Sequence, residues 1–153
     1  MNNPLRNKLI ADIAEKHKKD SVIILVQQVE HGETLKEQIK DAAFLHGNEK
    51  DDVRQKVMED YRKGKIRCLI GTSVLGEGVD LPIASVLVMA GGGKAKSGVM
   101  QGIGRVLRPF NNKQEAVVYD FTDKGSNWLC EHAALRREIY EQYNVEITNE
   151  QSE

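Results

Sequence analysis

Five short apolar runs alternate along this chain with segments of helical period, and that alternation limits the fold more than any other feature. The runs are Ser21–Val26, Ala43–Leu45, Ile66–Ile70, Ala84–Met89 and Ala116–Phe121. Each is too short for a packed helix, and all but Ala43–Leu45 contain β-branched residues, so each predicts a strand. Ser21-Val-Ile-Ile-Leu-Val26 has no polar break after its first residue, which implies cover on both faces of the strand. Strands of this kind, joined by helices, predict an α/β domain in three layers, a parallel sheet with helices on both faces.

The helices follow from apolar spacing and end signals. An N-terminal helix over residues 4–19 has Pro4 in its first turn and Leu5, Leu9 and Ile13 repeating every four residues. Leu35, Ile39 and Ala42 stripe a second helix. Asn48 is expected to cap a third, with Glu49, Asp51 and Asp52 in its first turn and Val53, Val57 and Tyr61 on its apolar face. Gly64 supplies the left-handed position that ends it. Ser97 caps a helix reaching to about Leu107, which Pro109 stops. A C-terminal helix over about 126–143 carries Trp128, Leu135, Ile139 and Tyr143 on one side. No internal repeat or linker interrupts the chain, so residues 1–153 read as one domain with its core over about 21–121.

Charge excludes a strongly basic binding protein. The chain has 22 Lys and Arg against 23 Asp and Glu, a net charge of -1, so any contact with nucleic acid must be local. No apolar span is long enough for a membrane helix, and the first residues lack the apolar core of a signal peptide. An intracellular protein without a membrane partner is expected. Cys68 and Cys130 have no metal-ligand spacing, and Cys68 lies within an apolar run as a buried, reduced thiol.

Three segments carry chemistry. In Gln101-Gly-Ile-Gly-Arg105-Val-Leu-Arg108-Pro109, helical geometry puts Arg105 and Arg108 on one face with Gln101 one turn back. Two guanidiniums projecting together can clamp phosphate oxygens and stay charged at any working pH. Taken alone, such a pair is more commonly a solvated basic face. In Gly71-Thr72-Ser73-Val-Leu-Gly76-Glu77-Gly78-Val79-Asp80-Leu81-Pro82, a buried strand opens into hydroxyls and bare amides suited to an anion. Asp80 can accept from a ribose hydroxyl or an arginine, and the competing reading is a plain connecting loop with a local aspartate cap. Leu45-His46-Gly47 ends a strand, and a lone His46 there is more often a loop residue than a functional one. Gly91-Gly92-Gly93 follows another strand and reads equally well as a ligand loop or as a surface loop.

In order and spacing, these segments together resemble the C-terminal, second RecA-like domain of superfamily-two helicases, from Ser21 to about Phe121. The sequence runs Leu-His-Gly, then Arg54, Tyr61 and Gly64, then a strand into Gly-Thr, then Glu-Gly-Val-Asp-Leu-Pro, then Gln-x-x-Gly-Arg-x-x-Arg. Ile23–Gln27 resembles motif IV of that family, Gly71–Pro82 motif V and Gln101–Arg108 motif VI. The resemblance implies a RecA-like fold and a role for each matched residue. Arg108 corresponds to an arginine finger toward the γ-phosphate of ATP, Arg105 to its companion, and Gln101 to a sensor of γ-phosphate or of the attacking water. Gly78 and Asp80 correspond to positions near the ribose and the arginines of the ATP site. Thr72, Gly47 and Gln27 correspond to contacts with the backbone of a nucleic-acid strand, which read phosphate rather than base and need few charges.

Two departures favour DNA over RNA. RNA-directed DEAD-box relatives have Arg before the motif V glycine and His opening motif VI; here those places hold Glu77 and Gln101. The run is closer in style to phage recombination and repair helicases and to restriction-type DNA translocases, which implies a bacterial or phage-infected cytoplasm and a single-stranded or branched DNA partner.

The sequence has no Gly-Lys-Thr or Gly-Lys-Ser phosphate loop and no Asp-Glu-x-His or Asp-Glu-x-Asp run. In the family both belong to the first RecA-like domain, which binds most of the ATP and its Mg²⁺. The resemblance therefore implies a second motor domain that acts with such a partner, in cis or in trans, and is inactive by itself. The alternatives are RNA as substrate, or a stand-alone nucleic-acid-binding or regulatory module that does not hydrolyse ATP.

Overall fold

The computed structural model describes residues 3–72, 84–91 and 117–121, together with helical positions between 131 and 141. Five parallel strands form one sheet in the order β2-β3-β1-β4-β5. They are β1 (Val22–Leu25), β2 (Ala42–Leu45), β3 (Cys68–Gly71), β4 (Val86–Met89) and β5 (Val117–Asp120). Helices α1 (Pro4–Lys16), α2 (Val29–Gln38) and α3 (Asp51–Arg62) alternate with the first three strands. All five expected strands are present, each four residues long, with Ala43–Leu45 extended by Ala42 and the other four shortened.

Side chains of a strand alternate between faces, and here the alternation divides the core in two. Ile23 and Leu25 of β1 join Leu45, Leu69, Leu87 and Met89 beneath Met58 and Tyr61 of α3. Val22, Ile24 and Val26 join Cys68, Ile70, Val86 and Val88 beneath Ile10, Ile13 and Ala14 of α1 and Leu35 of α2. Every residue of β1 is buried, as its unbroken apolar run requires. The three-layer α/β expectation is met. Cys68 is buried and reduced, and burial pushes its thiol pKa up to about 12, which leaves it chemically inert at neutral pH.

Helix limits and faces depart from the sequence expectation in several places. α1 ends at Lys16, with His17 as its C-cap, rather than at residue 19. Its start is capped by Asn3, whose side chain accepts from the Leu5 and Arg6 amides at 3.0 and 3.4 Å. Leu5 and Leu9 lie 81% and 38% exposed, and the buried stripe runs instead through Asn7, Ile10, Ile13 and Ala14. Ala42 belongs to β2, because the chain leaves the helix at Ile39 and turns through Asp41, a non-glycine residue at φ 64°. α3 begins two residues later than Asn48 predicts: Lys50 occupies the N-cap without a side-chain cap bond, and Asp51 and Asp52 provide the first-turn charge. Val53 is exposed while Met58 is buried, so the buried face of α3 is rotated toward Met58 and Tyr61. Gly64 does adopt the left-handed conformation, at φ 79°. Leu135 is exposed. The helix expected from Ser97 to Leu107, and Trp128, Cys130, Ile139 and Tyr143, lie outside the described residues. No helix among the described residues is long and apolar enough to cross a membrane.

α1 and α2 meet through a buried polar pair that apolar periodicity does not reveal. His31 Nε2 bonds the Asn7 side-chain oxygen at 2.8 Å, and both residues are 1% exposed. His31 Nδ1 has no partner, which fits a neutral ring that donates through Nε2. Burial first, then nearby positive charge including Arg6, pulls the His31 pKa down from 6.5 to about 4. The unfolded chain therefore takes up a proton near pH 6.5 that the folded chain refuses until about pH 4. Folded stability falls as pH drops through that window. Between pH 7 and pH 5 the loss from this site should be on the order of 2 kcal/mol. Thermal melts at the two pH values should show a marked drop for the parent chain and a flatter response for His31→Gln, which keeps a donor for Asn7. Equal pH sensitivity in both proteins would remove His31 as the cause.

Candidate nucleic-acid interface at the carboxyl edge of the sheet

The registers bring all five strands to an end at one level. Leu45 pairs with Gly71, Gly71 with Leu25, Leu25 with Met89, and Met89 with Asp120. Residues just past these ends therefore form a row along the carboxyl edge: Gly47 after β2, Thr72 after β3, Gln27 after β1 and Gly91 after β4. With adjacent strands ~4.8 Å apart, four strand ends span ~14 Å. Ligands of open α/β sheets bind beyond this edge. Three of the residues singled out from sequence, Gly47, Thr72 and Gln27, are thus gathered from segments far apart in the chain.

Thr72 is the most informative of them. Its amide donates to the Leu45 carbonyl at 3.3 Å, which ties the exit of β3 to that of β2. Its side chain is 7% exposed, yet its Oγ1 has no hydrogen-bond partner within the described structure. A buried hydroxyl without a partner costs about 1–3 kcal/mol, so its retention at a ligand-facing edge is a reason to look for a ligand oxygen. Gln27 is exposed and follows Val26, whose amide donates to the Gly71 carbonyl at 2.9 Å.

Gly47 is exposed in a turn shaped by its neighbours. The Asn48 amide donates to His46 Nδ1 at 3.2 Å, and His46 Nε2 lies 3.2 Å from Glu49 Oε1. The imidazole also leans on the Phe44 ring, with centroids 5.5 Å apart. Both nitrogens are spent within the loop, so His46 holds the turn that presents Gly47. Glu49, expected as a helix charge, serves as the partner of that histidine. Arg54 on α3 lies 3.8 Å from Asp51. Gly78, Asp80, Gln101, Arg105 and Arg108 lie outside the described residues, as does the rest of the segment between Ser73 and Ile83. Among the described residues no three His, Cys, Asp or Glu side chains come together as a metal site.

Residues 5–109 match the helicase conserved C-terminal domain. The chain belongs to that family. It is 23% identical over 126 residues to the DNA 3'-5' translocase XPB2 of Sulfurisphaera tokodaii, a match covering 82% of this chain and 28% of that protein. It is 30% identical over 146 residues to the UvrABC system protein B of Prochlorococcus marinus, covering 89% of this chain and 21% of that protein. Among solved structures, T4 UvsW matches with a TM-score of 0.63 and 25% identity over 90% of this chain and 32% of that one. The C-terminal domain of the DEAD-box protein Dbp5 matches with a TM-score of 0.74 at 22% identity over 96% of this chain and 83% of that one, a likeness of fold. The first of the curated relatives are matched over only 16% to 28% of their own length.

The bare Thr72 hydroxyl yields a two-sided test. Thr72→Val keeps the shape of the side chain and removes the unpartnered oxygen. Thermal or urea unfolding should show stability unchanged or raised by about 1 kcal/mol. Affinity for a single-stranded oligonucleotide, followed by fluorescence anisotropy, should fall by roughly tenfold, the equivalent of about 1.4 kcal/mol. A destabilised Thr72→Val chain that binds the oligonucleotide normally would make the hydroxyl a structural group.

Proposed function

We propose that this helicase C-terminal domain is the second motor domain of an ATP-dependent DNA helicase or translocase. The observation that carries the proposal is the Thr72 hydroxyl, buried and unpartnered in a row with Gly47 and Gln27 at the carboxyl edge. A hydroxyl, bare amides and an exposed carboxamide suit the phosphates of one strand and make no demand on base identity. Such neutral donors also fit a chain of net charge -1. DNA is favoured by Glu77 and Gln101, which depart from the RNA-directed pattern, and by relatives named for action on DNA.

Toward ATP, the contribution of this chain would be charge and polar contacts. Arg108 would meet the γ-phosphate, Arg105 would support it, Gln101 would report on the phosphate or the water, and Gly78 with Asp80 would border the ribose. A first RecA-like domain, in cis or in trans, would hold the nucleotide and Mg²⁺ by its own phosphate loop and carboxylates. Closing of the two domains would bring the arginines to the phosphates. Opening after hydrolysis would shift their grips along the strand.

Arg108 in the two-domain enzyme tests this reading. Arg108→Ala should fold normally and keep ATP and DNA binding, while DNA-stimulated hydrolysis falls by roughly 10³-fold or more, about 4 kcal/mol. Arg108→Lys should recover little, because an ammonium lacks the planar fork. This 153-residue chain by itself should hydrolyse no ATP. Near-parental hydrolysis by Arg108→Ala would exclude the arginine-finger assignment, and turnover by the chain alone would exclude the need for a partner domain.

A further inference from the structure

Gly91, the first of three successive glycines, lies past the end of β4 in van der Waals contact with the neighbouring exit of β1. Its amide and that of Ala90 both donate to the Leu25 carbonyl, at 3.1 and 2.9 Å, so the chain leaving β4 is drawn over the end of β1. A Cβ placed on Gly91 would stand 2.8 Å from Gln27 Cγ, 2.9 Å from the Gln27 backbone nitrogen and 3.4 Å from Gln27 Cβ. The first two distances are shorter than any side chain tolerates. The second involves backbone, which cannot swing aside as a flexible side chain would. Gly91 is glycine here because of contact, since nothing about its φ demands it.

The partner in that contact is an exposed, flexible, polar side chain. A free glutamine at a strand end samples many rotamers, and fixing one on binding a ligand costs conformational entropy. Packing its Cβ–Cγ stem against a bare backbone restricts it beforehand while leaving the carboxamide at the edge, and such preorganisation favours binding. We infer that Gly91 is a positioning residue for Gln27: its missing side chain seats the glutamine stem across the ends of β1 and β4 and so aims the carboxamide at a single-stranded nucleic-acid backbone. The inference rests on the proposed contact of Gln27 with the strand. It adds a residue whose role depends on space and not on a donor or acceptor.

The test compares Gly91→Ala, Gln27→Ala and the double variant of this chain, with a fluorescein-labelled oligo-dT followed by anisotropy at low salt and a thermal melt of each protein. Gly91→Ala should weaken binding about as much as Gln27→Ala, several-fold in each case, and the double variant should bind no more weakly than Gln27→Ala alone. If Gln27→Ala weakens binding and Gly91→Ala does not, the positioning role is overturned while the strand contact stands. If Gln27→Ala binds normally, the strand contact itself fails. If the losses add in the double variant, or follow the melting temperature, Gly91 serves only the fold. Should Gly91→Ala fail to melt cooperatively, nuclear Overhauser contacts from the Gly91 α-protons to the Gln27 γ-protons of the parent chain decide. Their persistence with oligo-dT bound supports the inference, and their loss overturns it.

Discussion

Burial of β1 on both faces is the constraint from which the rest of this structure follows. Val22–Leu25 sits between β3 and β4, with Val22, Ile24 and Val26 facing α1 and α2 and Ile23 and Leu25 facing α3. A strand in that position cannot leave either side to water, so helices must cover both. Helices that return the chain to the same side of the sheet make the strands parallel, and parallel strands bring all their exits to one edge. Gly47, Thr72, Gln27 and Gly91 come together there as a consequence of how the hydrophobic core is closed. The candidate face is a by-product of burial, supplied with donors by a few residues.

The strands were legible in the sequence because each is a short, mainly apolar run, most plainly in β1, β3 and β4, which are buried along their whole length. The helix faces were less so. Leu5 and Leu9 repeat with the right period but point outward, while Asn7 is buried because His31 offers it a partner. Hydrophobicity alone ranks those residues in the wrong order. Asn48 looked like a cap because it precedes acids, but its amide is engaged by His46 and the helix starts after Lys50. Motif residues could be matched by spacing, whereas strand order and the contact of Gly91 with Gln27 are properties of the sheet and have no local signature in the chain.

Charge along the helices follows their dipoles in part. The first turns of α2 and α3 carry Glu30, Asp51 and Asp52, which favour the positive helix N-termini that point there. Lys16, Lys36 and Arg62 lie in the last turns, at the opposite edge, where they complement the helix carbonyls. Exposed Lys18, Lys19, Lys40 and Lys65 follow in the loops entering β1, β2 and β3. Lys16, Lys36 and Arg62 thus answer the helix dipoles, while Arg6 and Lys50 stand at the starts of α1 and α3, on the same edge as the Thr72 hydroxyl.

For the proposed nucleic-acid strand the two edges of the sheet offer different faces, the carboxyl edge with the unpartnered Thr72 hydroxyl and the amino edge with exposed lysines. Amide chemical shifts of the ¹⁵N-labelled chain, titrated with single-stranded oligo-dT, separate them directly. Binding at the carboxyl edge should move the signals of Gln27, Gly47, Thr72 and Gly91 together with one affinity and leave those of Lys18, Lys40 and Lys65 in place. Movement confined to Lys18, Lys40 and Lys65, with the carboxyl-edge signals unmoved, would contradict it.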